Sequence, residues 1–202
     1  MRVGIFGGSF DPVHFGHLIL AEYCRAECAL DRVLFVPTCS APHKTNQQHA
    51  GARHRVEMLR LAVAGHGPFD VSEIEIQRGG LSYTVETLRQ IKSEHSEWKL
   101  FLLLGADSLA ELPTWREPVA ICHLATLVVV GRPGSAEIDV AKLKSKLPDA
   151  ANFDVKLHKL QMPLLGISST ELRNRVANRQ SIQFQTPRAV EMYVDANGLY
   201  SS

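Results

Sequence analysis

Short apolar runs alternate with longer amphipathic runs along the chain, and this alternation restricts the fold more than any other feature of the sequence. The apolar runs predict buried strands at residues 3–6, 33–36, 71–76, 100–104, 124–130 and 153–157. The runs with helical periodicity predict helices at residues 15–30, 54–64, 84–95, 138–147, 168–178 and 187–196. Strands that alternate with helices form a parallel sheet that is covered on both faces. The sequence therefore predicts an α/β fold with a doubly wound, mostly parallel sheet and helices on both faces.

Length and composition limit the classes of function. The 202 residues match the length of one domain, residues 1–202, and a hydrophobic content of 45% is enough for a sizeable core. A formal net charge of +1 gives no reason to expect nucleic acid or an anionic membrane as a partner. The apolar start is too short for a signal peptide, and no apolar run reaches the roughly 20 residues of a membrane span. We therefore expect a cytoplasmic protein whose affinity for phosphate, if it has one, is local.

The four cysteines are Cys24, Cys28, Cys39 and Cys122, and none of them forms a close CxxC pair. Reduced thiols in a cytosolic protein are the simplest interpretation. Cys24 and Cys28 lie four residues apart on a predicted helix, so a shared metal ion is an alternative. No second ligand pair with zinc spacing lies near them in the sequence, which favours the interpretation without zinc.

Residues 7–17, here called the first signature, read Gly-Gly-Ser-Phe-Asp-Pro-Val-His-Phe-Gly-His. They follow the first predicted strand and enter a helix, where ligands bind in open α/β sheets. Gly7 and Gly8 allow a tight turn and a close approach of the backbone to a ligand. His14 and His17 are three residues apart, so both imidazoles lie on one helical face near backbone N–H groups that attract anions. This pattern favours a phosphate site.

Other interpretations of the same segment stay open at this point. His14 can cap the helix while His17 packs in the core, or the two histidines can bind a metal ion, although no carboxylate ligand set lies nearby. The segment is neither GxGxxG nor a P-loop, since it has no P-loop lysine. Gly16 is expected to leave room beside the helix for a flat base or a sugar.

The first signature resembles the HxGH motif of a nucleotidyltransferase superfamily, and its longer form, GGSFDPVHFGH, resembles the bacterial nicotinate-mononucleotide adenylyltransferases. Residues 167–175, here called the second signature, read Ile-Ser-Ser-Thr-Glu-Leu-Arg-Asn-Arg and resemble the superfamily's ISSTxIRxR motif. Ser168 and Glu171 also fit a capping box, which is compatible with a phosphate site at the same helix start. The two signatures lie near opposite ends of the chain, so the resemblance spans nearly all of it.

Four shorter segments agree with this family. They are Pro37 to Lys44, which ends in Pro-His-Lys and has Ala41 where the family often has a second proline; Ser82-Tyr83-Thr84; Gly105-Ala106-Asp107 followed by Trp115; and Gly131-Arg132-Pro133. Each also has a structural interpretation. Lys44 and Arg132 can be solvated surface residues, Ser82 and Asp107 can be helix N-caps, and Trp115 can be a core residue.

The resemblance implies an enzyme that transfers the adenylyl group of ATP to nicotinate mononucleotide, giving deamido-NAD and pyrophosphate in NAD biosynthesis. It implies Mg²⁺ bound mainly through ATP phosphates and water, with no protein metal cage. The residues implied to stabilise the reacting phosphates are His14, His17, Lys44 and Arg173. The residues implied to bind ATP are Gly7, Gly8, Ser9, Phe10, His14, His17, Gly105, Asp107, Ile167, Ser168, Ser169, Thr170 and Arg173. The residues implied to bind the mononucleotide are Ser9, Lys44, Ser82, Tyr83, Thr84, Trp115 and Arg132.

The nearest alternative is an adenylyltransferase with another acceptor, either nicotinamide mononucleotide or phosphopantetheine. A nucleotide-binding protein without catalytic activity and an NAD-dependent dehydrogenase are alternatives from other classes, and the missing GxGxxG motif argues against the dehydrogenase. The sequence leaves open the selectivity between acid and amide acceptors and the oligomeric state, for which a homodimer is one alternative. It also leaves open whether residues 132–148 move when a ligand binds.

Overall fold

The computed structural model of the chain describes residues 1–40, 50–131, 143, 145–147, 157–161 and 165–201. The strands are β1 Arg2–Gly8, β2 Arg32–Pro37, β3 Phe69–Val71, β4 Lys99–Gly105, β5 Ala125–Gly131 and β6 Leu157–Gln161. The helices are α1 Phe15–Glu27, α2 Ala52–Val63, α3 Ile74–Arg78, α4 Thr84–Glu94, α5 Ala106–Glu111, α6 Pro118–Leu124, α7 Ser169–Ala177 and α8 Arg188–Ala196. A 3₁₀ turn, Leu112–Thr114, follows α5. In these ranges of the chain, no helix has both the length and the apolar character needed to cross a membrane.

The six strands form one parallel sheet in the order β3-β2-β1-β4-β5-β6. Arg2 of β1 is in register with Lys99 of β4, Leu100 of β4 with Ala125 of β5, and Leu127 of β5 with Leu157 of β6. This arrangement confirms the predicted α/β fold. The strand order reverses at β1, and α/β sheets bind their ligands beyond the carboxyl ends of strands at such a reversal. The first signature continues directly from β1 and therefore leaves the sheet at this position.

The chain divides into two compact units, and each is built from three separate segments. The first comprises Met1–Phe6, Leu20–Val33 and Tyr83–Leu164, and the second comprises Gly7–Ile19, Leu34–Ser82 and Leu165–Ser202. In the first unit, β5 carries a core of aliphatic side chains with no solvent exposure, at Leu127, Val128 and Val129. The second unit contains both signatures. The expectation of one domain stays a prediction.

Several sequence predictions need correction at their ends or in their type. The strand predicted at 71–76 is confirmed only at Val71, where β3 ends. Ile74–Arg78 is instead a short helix, in which the Gln77 N–H donates to the Glu73 carbonyl. A short apolar run does not distinguish a strand from a buried helical turn. The strand predicted at 124–130 begins one residue later, because Leu124 ends α6, which the sequence analysis did not predict.

Two further predictions fall mostly on residues that the structure does not describe. Only residues 143 and 145–147 of the helix predicted at 138–147, and only Leu157 of the strand predicted at 153–157, are among the described residues. Strand β6 begins at Leu157, which is the last residue of the predicted strand.

The cysteines that could share a metal ion are buried and free. Burial, followed by the neighbouring Cys28, raises the pKa of Cys24 to about 12. Burial also raises the pKa of Cys28. Burial therefore favours the neutral thiol at both positions.

Candidate active site

The turn after β1 depends on a glycine that makes room for an aromatic ring. A Cβ atom at Gly8 would lie 3.0 Å from Cζ of Phe10, closer than nearly all real contacts of this kind. At exposed Gly7, by contrast, a Cβ atom would meet no heavy atom of the described residues within 4 Å. Gly8 is therefore needed for packing, whereas Gly7 leaves open space at the end of the strand, as a closely bound ligand would require.

The Phe10 ring forms part of the core beneath the first signature. Its backbone has a positive φ of 50°, and the side chain is 1% exposed. The ring packs edge-on against the His17 imidazole at 5.0 Å between centroids and lies 5.7 Å from the Phe35 ring. The proposed contact of Phe10 with ATP can therefore involve only its backbone.

The two histidines of the first signature contact one another directly. Their rings are stacked, with centroids 3.7 Å apart and planes inclined by 26°. The His14 backbone N–H donates to Nδ1 of His17 at 3.3 Å, and the His14 carbonyl accepts from the backbone N–H groups of His17 and Leu18 at the start of α1. Because Nδ1 of His17 is an acceptor, its neutral imidazole carries the proton on Nε2. His17 is thus oriented as a hydrogen-bond donor through Nε2.

Gly16 makes room for the His14 ring rather than for a base or a sugar. A Cβ atom at Gly16 would lie 3.0 Å from both Cε1 and Nδ1 of the His14 ring, and 3.8 Å from the backbone oxygen of Ile167. The expectation that Gly16 makes room for a base or a sugar therefore needs correction, because that space holds the imidazole. The close approach of the Ile167 carbonyl also brings the second signature to the start of α1.

His14 is a buried imidazole with an unusual ionisation. It is 6% exposed, and its Nδ1 has no hydrogen-bond partner among the residues that the structure describes. Burial lowers the pKa of His14 from 6.5 to about 4, because removal from water disfavours the charged form. At neutral pH this imidazole is therefore uncharged. Without a bound phosphate, it therefore adds no positive charge to this part of the protein.

The lowered pKa of His14 predicts a loss of stability in acid. The unfolded chain binds a proton at His14 below the usual pKa of 6.5, whereas the folded chain does so only near 4, so the free energy of unfolding decreases as the pH falls between these values. We expect this group alone to lower it by about 2 kcal/mol between about pH 7.5 and about pH 5. Urea unfolding of the wild type and of His14→Asn at both pH values measures the effect, and an equal pH dependence in both proteins would contradict it.

The second signature opens helix α7, and its first residues attach it to the first signature. Ser168 is the N-cap, and its Oγ accepts from the Glu171 backbone N–H at 3.2 Å, as the capping-box interpretation predicted for the serine. The Ser169 hydroxyl donates to the Pro12 carbonyl at 2.9 Å. Arg173 donates through Nη1 to the Asp11 carbonyl at 2.8 Å and through Nη2 to Oγ1 of Thr170 at 3.3 Å.

Hydrogen bonds from the last third of the chain hold several backbone groups of the turn in the first signature. Besides the bonds from Ser169 and Arg173, the Val13 carbonyl accepts from the Thr186 hydroxyl at 2.7 Å, and the Phe15 N–H donates to the Gln185 carbonyl at 3.0 Å. Hydrogen bonds between residues this far apart in sequence fix the backbone that carries His14. The two signatures are therefore joined by hydrogen bonds within the second unit.

A buried carboxylate and a buried guanidinium, which the sequence analysis did not select, support the same turn. Asp11 has no solvent exposure, and its Oδ1 accepts from the Ala50 N–H at 3.1 Å. Arg55 on α2 donates through Nε to the Ala50 carbonyl at 3.1 Å and through Nη1 to the Ser9 carbonyl at 3.0 Å, and its Nη2 lies 3.5 Å from the Cys39 carbonyl. Burial lowers the pKa of Arg55, and the nearby Asp11 carboxylate opposes this shift.

A signal for these two residues was present in the sequence. Asp11 lies inside the first signature. Arg55 directly precedes Val56, which forms the apolar face of the same helix together with Met58 and Leu59. A charge at a core-facing position is expected to have a partner, because an unpaired buried charge is strongly unfavourable.

The segment expected to bind the mononucleotide has a different local structure from the one predicted at Ser82. The N-cap of α4 is Tyr83, not Ser82, so the N-cap interpretation of Ser82 is wrong. Instead, Oγ of Ser82 accepts from the Cys39 N–H at 2.9 Å, and its N–H donates to the Ser40 carbonyl. Ser82 therefore joins the chain after β2 to the chain before α4, a pairing between distant segments that no local pattern reveals.

In the first unit, an arginine joins two of the segments implied to bind the mononucleotide. Arg116, directly after Trp115, places its guanidinium 4.7 Å from the centroid of the Tyr83 ring and donates to Glu86 on α4 at 2.8 Å. Trp115 itself is half-buried at the end of the 3₁₀ turn, and Thr84 is the half-buried first residue of α4. Trp115 is thus neither a fully buried core residue nor a fully solvated one.

Gly105 and Asp107 follow β4 as predicted, at the start of a helix. Gly105 is the N-cap of α5, so the N-cap interpretation of Asp107 is wrong, and Asp107 lies exposed in the first turn. Its carboxylate is thus open to solvent. Lys44 and Arg132 lie outside the described residues, as do most of residues 132–148. Among the residues that the structure does describe, no group of three or more His, Cys, Asp or Glu side chains could hold a metal ion.

Comparison with known proteins identifies the family of the chain. The family model described as cytidylyltransferase-like matches residues 5–175. A relative from Roseiflexus sp. strain RS-1, described as "Probable nicotinate-nucleotide adenylyltransferase", is 48% identical over 198 residues, which cover 98% of this chain and 97% of the relative. A relative with the same description from Thermus thermophilus is 42% identical over 200 residues, which cover 99% and 100% of the two chains.

Solved structures show the same fold at lower sequence identity. The nicotinic acid mononucleotide adenylyltransferase of Plasmodium falciparum, solved as a complex with NaAD, aligns with a TM-score of 0.79 at 19% identity and covers 98% of this chain and 97% of its own. The same enzyme complexed with APC aligns with a TM-score of 0.78. The solved structures agree in fold, and the family model together with the sequence relatives places the chain in the cytidylyltransferase-like family and, within it, among the nicotinate-nucleotide adenylyltransferases.

Proposed function

We propose that this enzyme transfers the adenylyl group of ATP to the phosphate of nicotinate mononucleotide, giving deamido-NAD and pyrophosphate. A phosphate oxygen of the mononucleotide attacks the α-phosphorus of ATP, and the bond from that phosphorus to the oxygen bridging it to the β-phosphate breaks. No covalent intermediate with the enzyme is needed, because the mononucleotide phosphate is already ionised at neutral pH. The free thiols support a cytoplasmic location, where reduced cysteines persist.

The observation that carries this proposal is the junction of the two signatures. Residues about 160 positions apart in sequence meet at the backbone of Asp11 and Pro12, through the bonds from Ser169 and Arg173. This junction gathers two imidazoles, a guanidinium and the N-terminus of α7 in one unit. Such a set of hydrogen-bond donors is suited to phosphate oxygens, which attract cations and helix N-termini.

Charge repulsion is the main obstacle to the reaction, because one phosphate anion attacks another. Fixed donors placed where charge develops lower this barrier without having to reorganise during the reaction. We assign His14 and His17 to the ATP phosphates, the first as a neutral donor, and Arg173 and Lys44 to the triphosphate and the departing pyrophosphate. We assign the turn from Gly7 to Phe10 and the start of α7 to ATP as well.

Magnesium is expected to reach the enzyme bound to the phosphates of ATP. Magnesium binds through a few carboxylates together with substrate phosphates and water, so a cage of protein ligands is not required. When bound, it would neutralise part of the phosphate charge. The exposed Asp107 offers the oxygen ligands that this ion prefers, and we propose that it contacts either magnesium-bound water or the ribose hydroxyls of ATP.

We further propose that the mononucleotide contacts Ser9, Ser82, Tyr83, Thr84, Trp115, Lys44 and Arg132. Replacement of Trp115 by alanine is expected to raise the KM for nicotinate mononucleotide by about tenfold and the KM for ATP by less than about twofold, because an indole face stacks on a pyridine ring. Steady-state kinetics with each substrate varied in turn measure both constants. Trp98→Ala is the matched control, since Trp98 stacks on His95 in the same unit. Equal increases in both KM values would contradict stacking on the pyridine ring.

The identity of the acceptor is tested by a direct comparison. Purified enzyme with MgATP is given nicotinate mononucleotide, nicotinamide mononucleotide or phosphopantetheine, and both pyrophosphate and the adenylylated product are measured. The highest kcat/KM is expected with nicotinate mononucleotide. A higher value with either other acceptor would reassign the substrate, and no pyrophosphate with any acceptor would favour a protein that binds nucleotides without catalysis.

A further inference from the structure

We propose that Tyr200, near the carboxyl end of the chain, is a positioning residue for ATP: its hydroxyl holds the buried Asp11 carboxylate and thereby fixes the turn to which Arg173 is bound. The inference rests on the proposed function, because it assigns Tyr200 a role at the same site. Tyr200 is not part of either signature, and nothing in the local sequence around it indicates a role with nucleotides.

Groups from distant parts of the chain hold the Asp11 carboxylate. The Tyr200 hydroxyl donates to Oδ1 at 2.5 Å, the Ala50 N–H donates to the same oxygen at 3.1 Å, and Nη1 of Arg173 lies 3.9 Å from Oδ2. Because Asp11 has no solvent exposure, water cannot replace a partner that is lost. The position of the carboxylate therefore depends on such protein groups.

The Tyr200 hydroxyl is suited to be a permanent hydrogen-bond donor to Asp11. Burial, followed by the Asp11 charge and its hydrogen bond, raises the pKa of the Tyr200 phenol, so the hydroxyl keeps its proton. The backbone before it folds back on α8, with a hydrogen bond from the Leu199 N–H to the Val194 carbonyl. Tyr200 itself has a φ of 63°, a conformation that residues other than glycine seldom adopt. The turn at the end of the chain thus directs this one side chain towards Asp11.

The backbone carbonyl of Asp11 also accepts a hydrogen bond from the Arg173 guanidinium at 2.8 Å. A shift of the Asp11 side chain moves this carbonyl and the adjoining Pro12 carbonyl, which accepts from Ser169. Both donors belong to the second signature. Small displacements of aligned groups reduce rates strongly. We therefore expect loss of the Tyr200 hydroxyl to change the kinetic constants for ATP more than those for the acceptor.

The test compares two tyrosines of the C-terminal segment that each lose only a hydroxyl. In Tyr200→Phe, we expect the KM for ATP to rise, or kcat to fall, so that kcat/KM for ATP decreases by about tenfold. The KM for nicotinate mononucleotide is expected to stay within about twofold of the wild type. Tyr193→Phe is the control, because the Tyr193 hydroxyl bonds Nδ1 of His54 at 3.0 Å and not Asp11. This control is expected to leave both kinetic constants within about twofold.

Binding of a non-hydrolysable ATP analogue, measured by calorimetry, gives a readout that is independent of turnover. Weaker binding in Tyr200→Phe than in Tyr193→Phe, when both variants have a similar melting temperature, supports positioning. Equal binding and equal kcat/KM in the two variants would overturn it. If Tyr200→Phe does not fold, Asp11→Asn takes its place, since it keeps the side-chain volume and removes the charge, and unchanged ATP kinetics in that variant would overturn the inference. A wild type that forms no dinucleotide would refute the proposed function instead, while the calorimetric comparison would still decide the inference.

Discussion

Replacement of His17 by alanine is expected to lower kcat by about 10²-fold or more, as the loss of a preorganised donor does in other enzymes. The structure gives the reason for this magnitude. The imidazole is fixed by a bond to the His14 backbone, by stacking on the His14 ring and by the edge of Phe10, so its orientation is set before the substrate binds. Single-turnover and steady-state assays with saturating MgATP and nicotinate mononucleotide measure the effect.

His66→Ala is a control for the loss of an imidazole from the same unit. The His66 ring packs edge-on against Phe69 at 4.1 Å, in a segment to which no role in catalysis is assigned. Its kcat is expected to stay within about twofold of the wild type. A His17→Ala enzyme that keeps more than about a tenth of the normal kcat would refute the proposed role of His17 as a transition-state donor.

Replacement of Arg55 by alanine is expected to lower the free energy of unfolding by about 3 kcal/mol or more, because it removes a buried cation beside a buried carboxylate. Arg55 is 6% exposed, and its guanidinium donates to the carbonyls of Ala50 and Ser9. Without it, the buried Ala50 carbonyl and the part-buried Ser9 carbonyl each lose this donor, and the Asp11 charge loses a compensating cation. Urea unfolding at neutral pH, monitored by tryptophan fluorescence, measures the change.

Arg53→Ala is the matched control, because Arg53 lies two residues earlier on the same helix and is exposed. Its effect on the free energy of unfolding is expected to be within about 0.5 kcal/mol, as for most surface substitutions. A similar loss of stability in both variants would show that Arg55 acts through helix formation in α2 and not through its buried hydrogen bonds.

The strands and the main helices could be predicted from the sequence because their burial imposes a pattern on neighbouring residues. The apolar run in β4 and the amphipathic run in α4 each contain enough residues to fix the type of element. The prediction was wrong at Ile74–Arg78, where the segment is too short to show a period. It also did not include α5 and α6, which are helices of six and seven residues.

The candidate site was predicted in part for a similar reason. The two signatures are contiguous runs, so their resemblance to a family can be read without any knowledge of the fold. The role of Gly16 was wrong because its constraint comes from the His14 ring, a contact that depends on how α1 begins. The N-cap role of Ser82 was wrong because that side chain bonds Cys39, which is 43 residues away.

The sequence by itself determined the alternation of the main strands and helices, the two signatures and the family, because each of these is encoded in residues that are adjacent or regularly spaced. Only the tertiary structure decided which groups meet around Asp11: Arg55, Arg173 and Tyr200 come from three distant parts of the chain. It also decided that His14 is uncharged at neutral pH, since its lowered pKa results from burial by surrounding groups. Hydrogen bonds and desolvation depend on distance in space, and a linear pattern does not record that distance.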